Sequence, residues 1–508
     1  MNPLLLADFY KVSHYAQYPP GTKFVYSNFT ARKSRIPEID KISFFGLQYF
    51  IKEYLITQFN REFFKVKRER AISEYKRILD YSLGPDSVSM KHIGELHDLG
   101  YLPLEIRALP EGSQVPIRVP MLTVVNTKPE FYWLTNYIES IMSAILWQPI
   151  TSATIAHQYR KILDGWAHKT SDNPEFVDWQ GHDFSFRGMG GLESALISGA
   201  GHLLNFTGTD TIPAIWFLEK YYGANVEKEL VGGSVPATEH SVMCAGGQDG
   251  EFETFQRLIN DTYPSGIISI VSDTWDLWQV LTDFLPRMRD EILARDGKVV
   301  IRPDSGDPVD IICGIDFPYL GKTDAGKPAY VNLAKLESRE ISESEQKGVI
   351  ELLWDTFGGI INSKGYKQLD PHIGAIYGDS ITLERANEIC RRLEQKGFAS
   401  TNIVFGIGSY TYQYNTRDTF GMAMKATWVN INGEGRDIFK DPKTDDGTKK
   451  SAKGLIKIKK NASGEYILFD QVSYEDSIYD TDLELVFQNG KLVKEQSLSQ
   501  IRNRIKNG

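Results

Sequence analysis

The segment VPATEHSVM, residues 235–243, places His240 between Glu239 and Ser241, directly after a Gly-Gly-Ser-Val-Pro turn. An imidazole beside a carboxylate can transfer a proton or act as a nucleophile, because the carboxylate orients the ring. A solvated loop of polar residues would give the same local sequence. These residues therefore define a candidate reactive site that the rest of the chain has to support or exclude.

A second candidate group lies in VVIRPDSGD, where Arg302 and Asp304 follow an apolar run on either side of Pro303. Because proline restricts the turn, we expect both charged side chains to project from a rigid strand end. Arginine binds oxyanions such as phosphate, and a carboxylate accepts hydrogen bonds from sugar hydroxyls. The alternative is an internal Arg–Asp pair that caps a helix.

Acidic and small residues also follow two other apolar runs. Ser272 and Asp273 end one run in IVSDTWD, and Gly378 and Asp379 lie in IYGDSIT. A single carboxylate of this kind is often structural. Several carboxylates at neighbouring strand ends, together with arginines, indicate a site for a sugar phosphate.

The segment FGIGSYTYQYNTR has Gly406, Gly408 and Ser409 at a junction between a strand and a loop, with Arg417 close behind. Backbone amides at such a junction can surround a phosphate, and Arg417 can neutralise its charge. The segment lacks the third glycine of the GxGxxG pattern, which disfavours a dinucleotide fingerprint. A sugar phosphorylated at both ends would use this loop and both arginines.

The elements that must position these residues lie between residues 151 and 414. Short apolar runs that end in small or acidic residues alternate there with helical segments, which is typical of parallel βα units. The runs are GHDFSFRG, NFTGTDT, IISIVSDTWD, VVIRPDSGD, IGAIYGDSIT and IVFGIGSYT. Six or more such units predict a closed or nearly closed α/β barrel, whose ligand site forms at the carboxyl ends of its strands.

The two ends of the chain predict a second, discontinuous domain of the β-rich α+β class. Residues 1–150 mix strands such as LEIRALPEG with helices, and residues 415–508 contain alternating strands joined by Asn-Gly or Gly turns. Such turns predict hairpins. The acidic segment 441–450 is predicted as a solvated loop, because its carboxylates miss the alternating positions of a calcium-binding loop.

Composition excludes several classes of protein. The 508 residues carry a net charge of −9, which argues against a broad basic surface for nucleic acid. The first residues, MNPLLLADFYKVSHY, predict neither a signal peptide nor a membrane span. The 3 cysteines are far apart and lack zinc-binding spacing, which favours a reducing compartment. We therefore predict a cytoplasmic protein that binds neither nucleic acid nor membrane.

The chain resembles the nicotinamide phosphoribosyltransferase family nearly end to end. The motifs that carry the resemblance occur in the same order: ADFYKVSHYAQYPPGT, FFGLQYFIKEYL, PEFYWLTNYIES, HDFSFRG, FTGTDT, SVPATEHS, VSDTWD, IRPDSG and YGDSI. The resemblance implies a type II phosphoribosyltransferase that works as a homodimer with sites shared between subunits. The implied reaction joins nicotinamide to 5-phosphoribosyl 1-pyrophosphate (PRPP) in NAD salvage, giving nicotinamide mononucleotide and pyrophosphate. It would require Mg²⁺ and couple ATP hydrolysis through a phosphohistidine.

The resemblance also implies the substrate-binding residues. The pyridine ring would stack between Phe184 and Tyr10 of the partner subunit, and Asp210 would accept the carboxamide NH₂. Arg187 would lie beside the ring and the phosphates. The other implied contacts are Asp8, Ser234, Ser269 and Asp273, with Arg302, Asp304, Gly378 and Asp379 at the ribose and pyrophosphate, Gly408, Ser409 and Arg417 at the 5′-phosphate, and Arg32 and Lys425 at the pyrophosphate or ATP phosphates.

The catalytic residues that the resemblance implies are His240, Glu239, Asp304 and Arg302. His240 would take a phosphoryl group from ATP, Glu239 would fix its tautomer and basicity, and Asp304 would lie near Mg²⁺. The sequence departs from the family pattern near the phosphate-binding segments, where Ser409 replaces a glycine and Ala423 replaces a serine.

Three alternatives stand beside this interpretation. A barrel lyase or isomerase acting on a sugar phosphate would need a Lys or Glu base at a strand end, and none is obvious in the sequence. A nicotinate phosphoribosyltransferase would bind a carboxylate, which Asp210 would repel by about 4 kcal/mol at ~4 Å and an effective dielectric constant near 20. A catalytically inactive binding protein on the same scaffold would be favoured by loss of Asp210, His240 or Arg302, and all three are present. His182, beside Asp183, is interpreted as structural.

Overall fold

A computed structural model of the chain describes residues 1–322, 328–332, 337–439 and 452–507. These residues are organised around a seven-stranded antiparallel sheet and a six-stranded parallel sheet, with helices packed on both. The segment 441–450, predicted above as a solvated loop, lies outside the described residues.

The strands of the described residues are β1 (Thr22–Ala31), β2 (Lys41–Ser43), β3 (Leu104–Ala108), β4 (Gln114–Pro116), β5 (Pro120–Asn126), β6 (Gly181–Asp183), β7 (Gly208–Thr209), β8 (Ser265–Val271), β9 (Asp296–Arg302), β10 (Tyr319–Lys322), β11 (Pro328–Asn332), β12 (Glu337–Glu340), β13 (Gly359–Ile361), β14 (Lys367–Leu369), β15 (Ile373–Tyr377), β16 (Ile403–Ile407), β17 (Met422–Ile431), β18 (Glu434–Asp437), β19 (Ile456–Lys460), β20 (Tyr466–Asp470), β21 (Glu484–Gln488) and β22 (Lys491–Leu492).

The α-helices are α1 (His14–Gln17), α2 (Leu47–Phe50), α3 (Arg68–Leu83), α4 (Lys91–Leu99), α5 (Leu134–Tyr137), α6 (Glu139–Thr170), α7 (Val177–Gln180), α8 (Leu192–His202), α9 (Ile212–Tyr222), α10 (His240–Ala245), α11 (Glu251–Gln256), α12 (Leu277–Gln279), α13 (Leu285–Arg287), α14 (Arg289–Ala294), α15 (Pro308–Cys313), α16 (Glu343–Phe357), α17 (Leu383–Gln395), α18 (Ser409–Gln413), α19 (Tyr474–Tyr479) and α20 (Leu498–Asn507). Short 3₁₀ turns cover Pro3–Leu5, Phe9–Ser13, Pro129–Phe131, Pro174–Phe176, Phe186–Gly188 and Ser400–Asn402. Wider π-helical turns cover Ile51–Gln58, Asn60–Phe64, Arg257–Thr262 and Val280–Phe284.

The six apolar runs predicted as βα units all form strands of the parallel sheet, in the order β7-β6-β16-β15-β9-β8. The two edge strands are bridged by residues 233–238, in which Gly233 pairs with Gly208 and Ala237 pairs with Ser269, both in the parallel sense. This segment completes the wall of the barrel between β7 and β8. The predicted α/β barrel is therefore confirmed, and its carboxyl ends share one rim.

The seven-stranded sheet joins both ends of the chain. Its order is β18-β17-β1-β5-β3-β21-β22, and β1 pairs with β17 along its whole length. The predicted C-terminal hairpins are present as β17–β18, β19–β20 and β21–β22. The predicted second domain, built from both ends of the chain, is confirmed by this sheet.

Helix α6 connects the two parts of the molecule and runs through the predicted boundary at residue 150. Near its start, Met142 and Leu146 are buried in the core beneath the antiparallel sheet. In its second half, Tyr159 and Leu163 are buried in the core that surrounds the barrel. Because an α-helix of this length spans several nanometres, α6 can contribute to both cores.

No helix among the described residues combines the length and the apolar character needed to cross a bilayer.

The packing of α6 against the turn before α2 predicts a steric requirement for glycine at residue 46. Gly46 has φ +102°, and a Cβ there would lie 2.7 Å from Cγ of Pro149. We expect Gly46→Ala to lower the free energy of unfolding by about 1–3 kcal/mol, measured by urea denaturation. Gly165→Ala on α6 is the matched control, because nothing lies within 4 Å of its Cβ position. Equal effects of the two substitutions would contradict this account.

Candidate active site

A cavity of about 450 Å³ opens among the strand ends of the barrel and extends into its interior. Its outer part is lined by His182, Phe184, Asp210, Ser234 and Arg302. Barrels of this kind are usually filled by inward-facing side chains. Here the inward positions include Ala237, Ser269 and Gly374, whose small side chains leave the space open.

The aromatic wall of the cavity is Phe184, which follows β6. A Cβ on Gly406 would lie 2.5 Å from Cδ2 of Phe184, and one on Gly378 would lie 3.7 Å from its Cε2. The Phe184 ring therefore packs against the backbone of both glycines, and a side chain at residue 406 would overlap it. The guanidinium carbon of Arg302 is 5.9 Å from the ring centroid, so one aromatic group and one cation border the same space.

Asp210 is held in place by two donors on one of its oxygens. His182 Nε2 lies 2.9 Å from Oδ1, and the Ser234 hydroxyl donates to Oδ1 at 2.6 Å. Burial raises the pKa of Asp210, but the hydrogen bonds from His182 and Ser234 and the charge of Arg302 outweigh it, and the net pKa is lowered. The carboxylate is thus ionised at neutral pH, and no described residue donates to Oδ2.

Two buried polar groups in the same cavity as Asp210 lack hydrogen-bond partners among the described residues. Arg302 donates from one Nη to the carbonyl of Thr238 at 2.7 Å, while its Nε has no partner. The Ser269 hydroxyl is also buried and unpartnered, and both residues line the cavity. Buried polar groups are nearly always satisfied, so these two indicate the place of a ligand with an acceptor oxygen.

His240 begins α10, next to the rim of the barrel. Its Nε2 lies 3.4 Å from Oδ1 of Asp273, which follows β8. The family resemblance predicts that Glu239 orients this ring, but the Glu239 carboxylate instead accepts a hydrogen bond from the Ser241 hydroxyl. The carboxylate that faces the imidazole is therefore that of Asp273, because the strand end approaches α10 while the Glu239 side chain turns back on its own segment.

Three carboxylates lie close together at the ends of β8, β9 and β15. Oδ2 of Asp273 accepts from the backbone N–H of Asp304 at 2.9 Å and from the Ser305 hydroxyl at 2.6 Å. Burial raises the pKa of Asp304, Arg302 lowers it, and the charges of Asp273 and Asp379 raise it further. The described residues contain no group of three or more side chains arranged as a metal site. A cation here would need oxygen ligands from a substrate in addition.

The predicted phosphate loop follows β16. Gly408 precedes α18, and a Cβ on Gly188 would lie 2.0 Å from the Ser409 hydroxyl oxygen, so Ser409 packs against the turn that carries Arg187. The guanidinium of Arg417 is half-exposed and 3.4 Å from the carboxylate of Asp418. The Gly188–Ser409 approach places the turn that carries Arg187 beside the loop after β16.

Four of the residues expected at the site belong to the N-terminal segment or the antiparallel sheet and do not line the cavity, and two of these are near the N-terminus. Tyr10 is 58% exposed, on the 3₁₀ turn Phe9–Ser13. Asp8 contacts Ser140 in the first turn of α6 through its backbone and its carboxylate.

The other two lie on the antiparallel sheet. Arg32 follows β1 and donates from Nε to the carbonyl of Gly421 at 2.9 Å. Lys425 lies on β17 opposite Asn28, and Ala423, at a position of family departure, is buried on the same strand. The cations expected at the phosphates therefore come from a different part of the molecule than Arg302.

Two residues that line the cavity, His182 and Lys298, are not among the candidate site residues predicted from the sequence. The sequence favours a structural role for His182, yet this residue lines the cavity and contacts Asp210. Lys298 lines the inner end of the cavity, and burial lowers its pKa. The signal for Lys298 is the alternation along β9, which puts Lys298, Val300 and Arg302 on one face.

Comparison with known proteins identifies relatives along the whole chain. Residues 2–106 match the family described as "Nicotinamide phosphoribosyltransferase, N-terminal domain", and residues 179–491 match the "Nicotinate phosphoribosyltransferase (NAPRTase) family". The nicotinamide phosphoribosyltransferase of Acinetobacter baylyi is 52% identical, covering 99% of this chain and 97% of its own. That of Mycoplasma pneumoniae is 35% identical, covering 89% and 95%.

Solved structures match the fold at low identity. Nicotinate-nucleotide pyrophosphorylase from Pyrococcus furiosus has a TM-score of 0.56 and 13% identity, covering 100% of this chain and 95% of its own. Human nicotinic acid phosphoribosyltransferase has a TM-score of 0.51 and 14% identity, covering 98% and 93%. At these identities the similarity concerns the fold alone.

The raised pKa of Asp304 predicts a cost in stability. The folded protein holds this carboxyl protonated to higher pH than the unfolded chain does, so its ionisation opposes folding above the ordinary carboxyl range. We expect Asp304→Asn to raise the free energy of unfolding at pH 7 by about 0.5–2 kcal/mol, a range that allows for solvent screening at a half-buried group. The gain should shrink as the pH falls through the raised pKa of Asp304 and vanish below the ordinary carboxyl pKa. Asp418→Asn, at an exposed ion pair, is the control, and a pH-independent gain at Asp304 would refute the electrostatic explanation.

Proposed function

The chain belongs to the nicotinamide phosphoribosyltransferase family, and on this premise we propose the way in which its barrel site performs that reaction. The enzyme is a pentosyltransferase that joins nicotinamide to PRPP, forming nicotinamide mononucleotide and pyrophosphate. The single observation that carries the assignment of the base site is one cavity that holds the ionised carboxylate of Asp210, fixed by two hydrogen bonds, together with the unpartnered Arg302 Nε and Ser269 hydroxyl.

These groups match a carboxamide. The free Oδ2 of Asp210 accepts from the amide NH₂, while Arg302 and Ser269 donate to the amide oxygen. Phe184 stacks on the pyridine ring, which adds roughly 0.5–1.5 kcal/mol beyond area burial. Nicotinate would place a second negative charge against Asp210, so the site disfavours it.

The rim residues bind the phosphorylated sugar. Asp304 and Asp379 accept from ribose hydroxyls, and the backbone at Gly408 and Ser409 receives the 5′-phosphate. Arg187 and Arg417 lie on the two segments beside this loop and neutralise phosphate charge. Support for these roles is the position of Asp304, Asp379, Gly408 and Ser409 directly after neighbouring strands of the parallel sheet.

Transfer of the ribosyl group separates charge in the transition state. The bond from C1 to the pyrophosphate oxygen breaks, positive charge develops on the ribose, and the pyridine nitrogen forms the new bond. Carboxylates at the sugar and cations at the leaving group stabilise this state in advance. No covalent bond between the protein and the sugar is required.

Magnesium is proposed at Asp304, with the remaining ligands supplied by substrate oxygens. The mutual repulsion of Asp304, Asp273 and Asp379 favours a cation beside them, and Mg²⁺ typically binds through one or two carboxylates plus phosphates. When bound, the ion would neutralise charge that develops on the leaving pyrophosphate.

ATP coupling is proposed through His240. Nε2 of His240 lies 3.4 Å from Oδ1 of Asp273, and in the tautomer with the proton on Nε2 the ring carries a lone pair on Nδ1 that can attack the γ-phosphorus of ATP. A nitrogen–phosphorus bond forms, the bond to the β-phosphate oxygen breaks, and ADP leaves. The phosphorylated ring lies at the rim, where its charge can organise the cations that bind pyrophosphate.

The site is proposed to be shared in a homodimer. Asp8, Tyr10, Arg32 and Lys425 lie away from the cavity, and a two-fold dimer can place such residues at the partner's site. Tyr10 of the partner subunit then covers the second face of the pyridine ring. The cellular setting is proposed to be the cytoplasm, on the basis of the unpaired cysteines, which are typical of a reducing compartment.

The choice of base should depend on the charge of Asp210. We expect wild-type enzyme to form the mononucleotide from nicotinamide and PRPP, and Asp210→Asn to lower kcat/KM for nicotinamide about tenfold or more, since an ionic hydrogen bond contributes about 1.5–3 kcal/mol. The ratio of nicotinate to nicotinamide turnover should rise, as measured for both bases on both enzymes. Asp418→Asn is the control, and an unaltered ratio would contradict the proposed amide contact.

Phosphoenzyme formation should depend on His240 and Asp273 more than on Glu239. His240→Ala should retain slow synthesis but lose ATP stimulation and acid-labile phosphate from [γ-³²P]ATP. Asp273→Asn should slow phosphorylation about tenfold or more, because it removes an ionic partner of the ring. Glu239→Gln is the matched carboxylate control. If Glu239→Gln had the larger effect, Asp273 would not be the orienting residue.

A further inference from the structure

The turn that carries Tyr10 has an unusual distribution of buried and exposed side chains. Phe9 and Tyr10 are 53% and 58% exposed, whereas the side chain of Lys11 is only 3% exposed. Lysine is almost never buried unless it is paired. Lys11 is paired, with the carboxylate of Glu139, the first residue of α6.

Further contacts fasten the same turn to the same end of α6. The backbone N–H of Asp8 donates to the Ser140 hydroxyl at 3.1 Å, and that hydroxyl donates to the Asp8 carboxylate. The ammonium of Lys11 lies 5.0 Å from the centroid of the Tyr10 ring. Asp8 and Lys11, which precede and follow Tyr10 in the chain, are therefore both fastened to the start of α6, while the Tyr10 ring is exposed to solvent.

The Lys11–Glu139 pair is better suited to fixing geometry than to adding stability. Removing two charges from water is costly, and a buried pair often contributes no net stabilisation over apolar residues of similar size. Glu139 is itself placed favourably, because a negative charge at a helix N-terminus interacts with the helix dipole. What the pair does supply is a fixed position of the turn relative to the long helix α6.

We propose that Lys11 and Glu139 are positioning residues for catalysis, which hold the Tyr10 ring in the orientation that stacks on nicotinamide bound by the partner subunit. This inference rests on the proposed shared site. Lys11 touches no substrate and acts through Tyr10. It therefore influences the site of the other chain rather than the site on its own barrel.

The first test measures homodimers. Lys11→Met should raise KM for nicotinamide about three- to tenfold, the loss expected when one ring contact is disordered, with a smaller change in kcat. Glu139→Gln should do the same, and Lys11→Arg, which retains the charge, should restore most of the affinity. Lys76→Met is the matched control, because it breaks a more exposed Lys–Asp pair on α3 and should leave KM unchanged.

The decisive test uses heterodimers purified through two different affinity tags. One chain carries Lys11→Met, and the other carries Arg302→Ala, which inactivates the site on its own barrel. The surviving site then has an intact Arg302 on the Lys11→Met chain and receives Tyr10 from a chain with an intact Lys11. We expect this heterodimer to regain the wild-type KM for nicotinamide. A KM as high as that of the Lys11→Met homodimer would overturn the proposal.

A benchmark separates failure of this inference from failure of its premise. A heterodimer of Tyr10→Ala with Arg302→Ala should also regain activity if sites are shared. When this benchmark recovers and the Lys11→Met heterodimer does not, Lys11 acts within its own chain and the positioning role is wrong. When the benchmark itself fails, the shared site is wrong and the inference falls with it. Should Lys11→Met not fold, Glu139→Gln takes its place in both experiments.

Discussion

Parallel hydrogen bonding of the barrel strands determines where every polar group of the candidate site lies. β8 and β9 pair residue by residue from Ser265 to Val271, and β15 and β16 continue the same direction. The carboxyl ends of these strands therefore lie on the same side of the barrel. As a result Asp273, Arg302 and Asp379 lie near one another although they are far apart in sequence. The same register points alternate side chains inward, so the rim and the interior of the barrel are set by one set of strands.

The chemistry of the candidate site depends on polar groups that lack hydrogen-bond partners or repel one another in the free protein. Arg302 Nε and the Ser269 hydroxyl are buried without partners among the described residues, and Asp304 is repelled by its acidic neighbours. Each of these unsatisfied or repelling groups lowers the free energy of unfolding of the substrate-free protein. A site of this kind interacts strongly with a complementary ligand, because its dipoles and charges are already oriented and need little reorganisation. Asp210 is the contrasting case, since two donors hold its charge in place.

Much of the fold could be predicted from the sequence, and the reasons are local. Apolar β-branched runs mark the six barrel strands, and Asn-Gly or Gly turns mark the C-terminal hairpins. The bridging segment 233–238 could not be recognised as part of the wall, because its proline and its polar residues lack the pattern of a strand. The carboxylate next to His240 could not be predicted from the sequence for a different reason. Glu239 is adjacent to His240 in the chain, whereas Asp273 comes close to it only in the folded protein. The separation of Tyr10 and Lys425 from the cavity likewise depends on tertiary structure.

The pairing of β1 with β17 has a consequence for how the chain is made. β1 is complete at Ala31, early in synthesis, but its partner strand begins only at Met422. At ordinary elongation rates the ribosome needs on the order of tens of seconds to supply that strand. During this time β5 can cover only one side of β1, and the other side remains an open edge with unpaired backbone groups. The nascent chain is therefore most exposed to aggregation while the barrel is being translated, and an expression host with slow elongation or few chaperones should give a lower yield of folded protein.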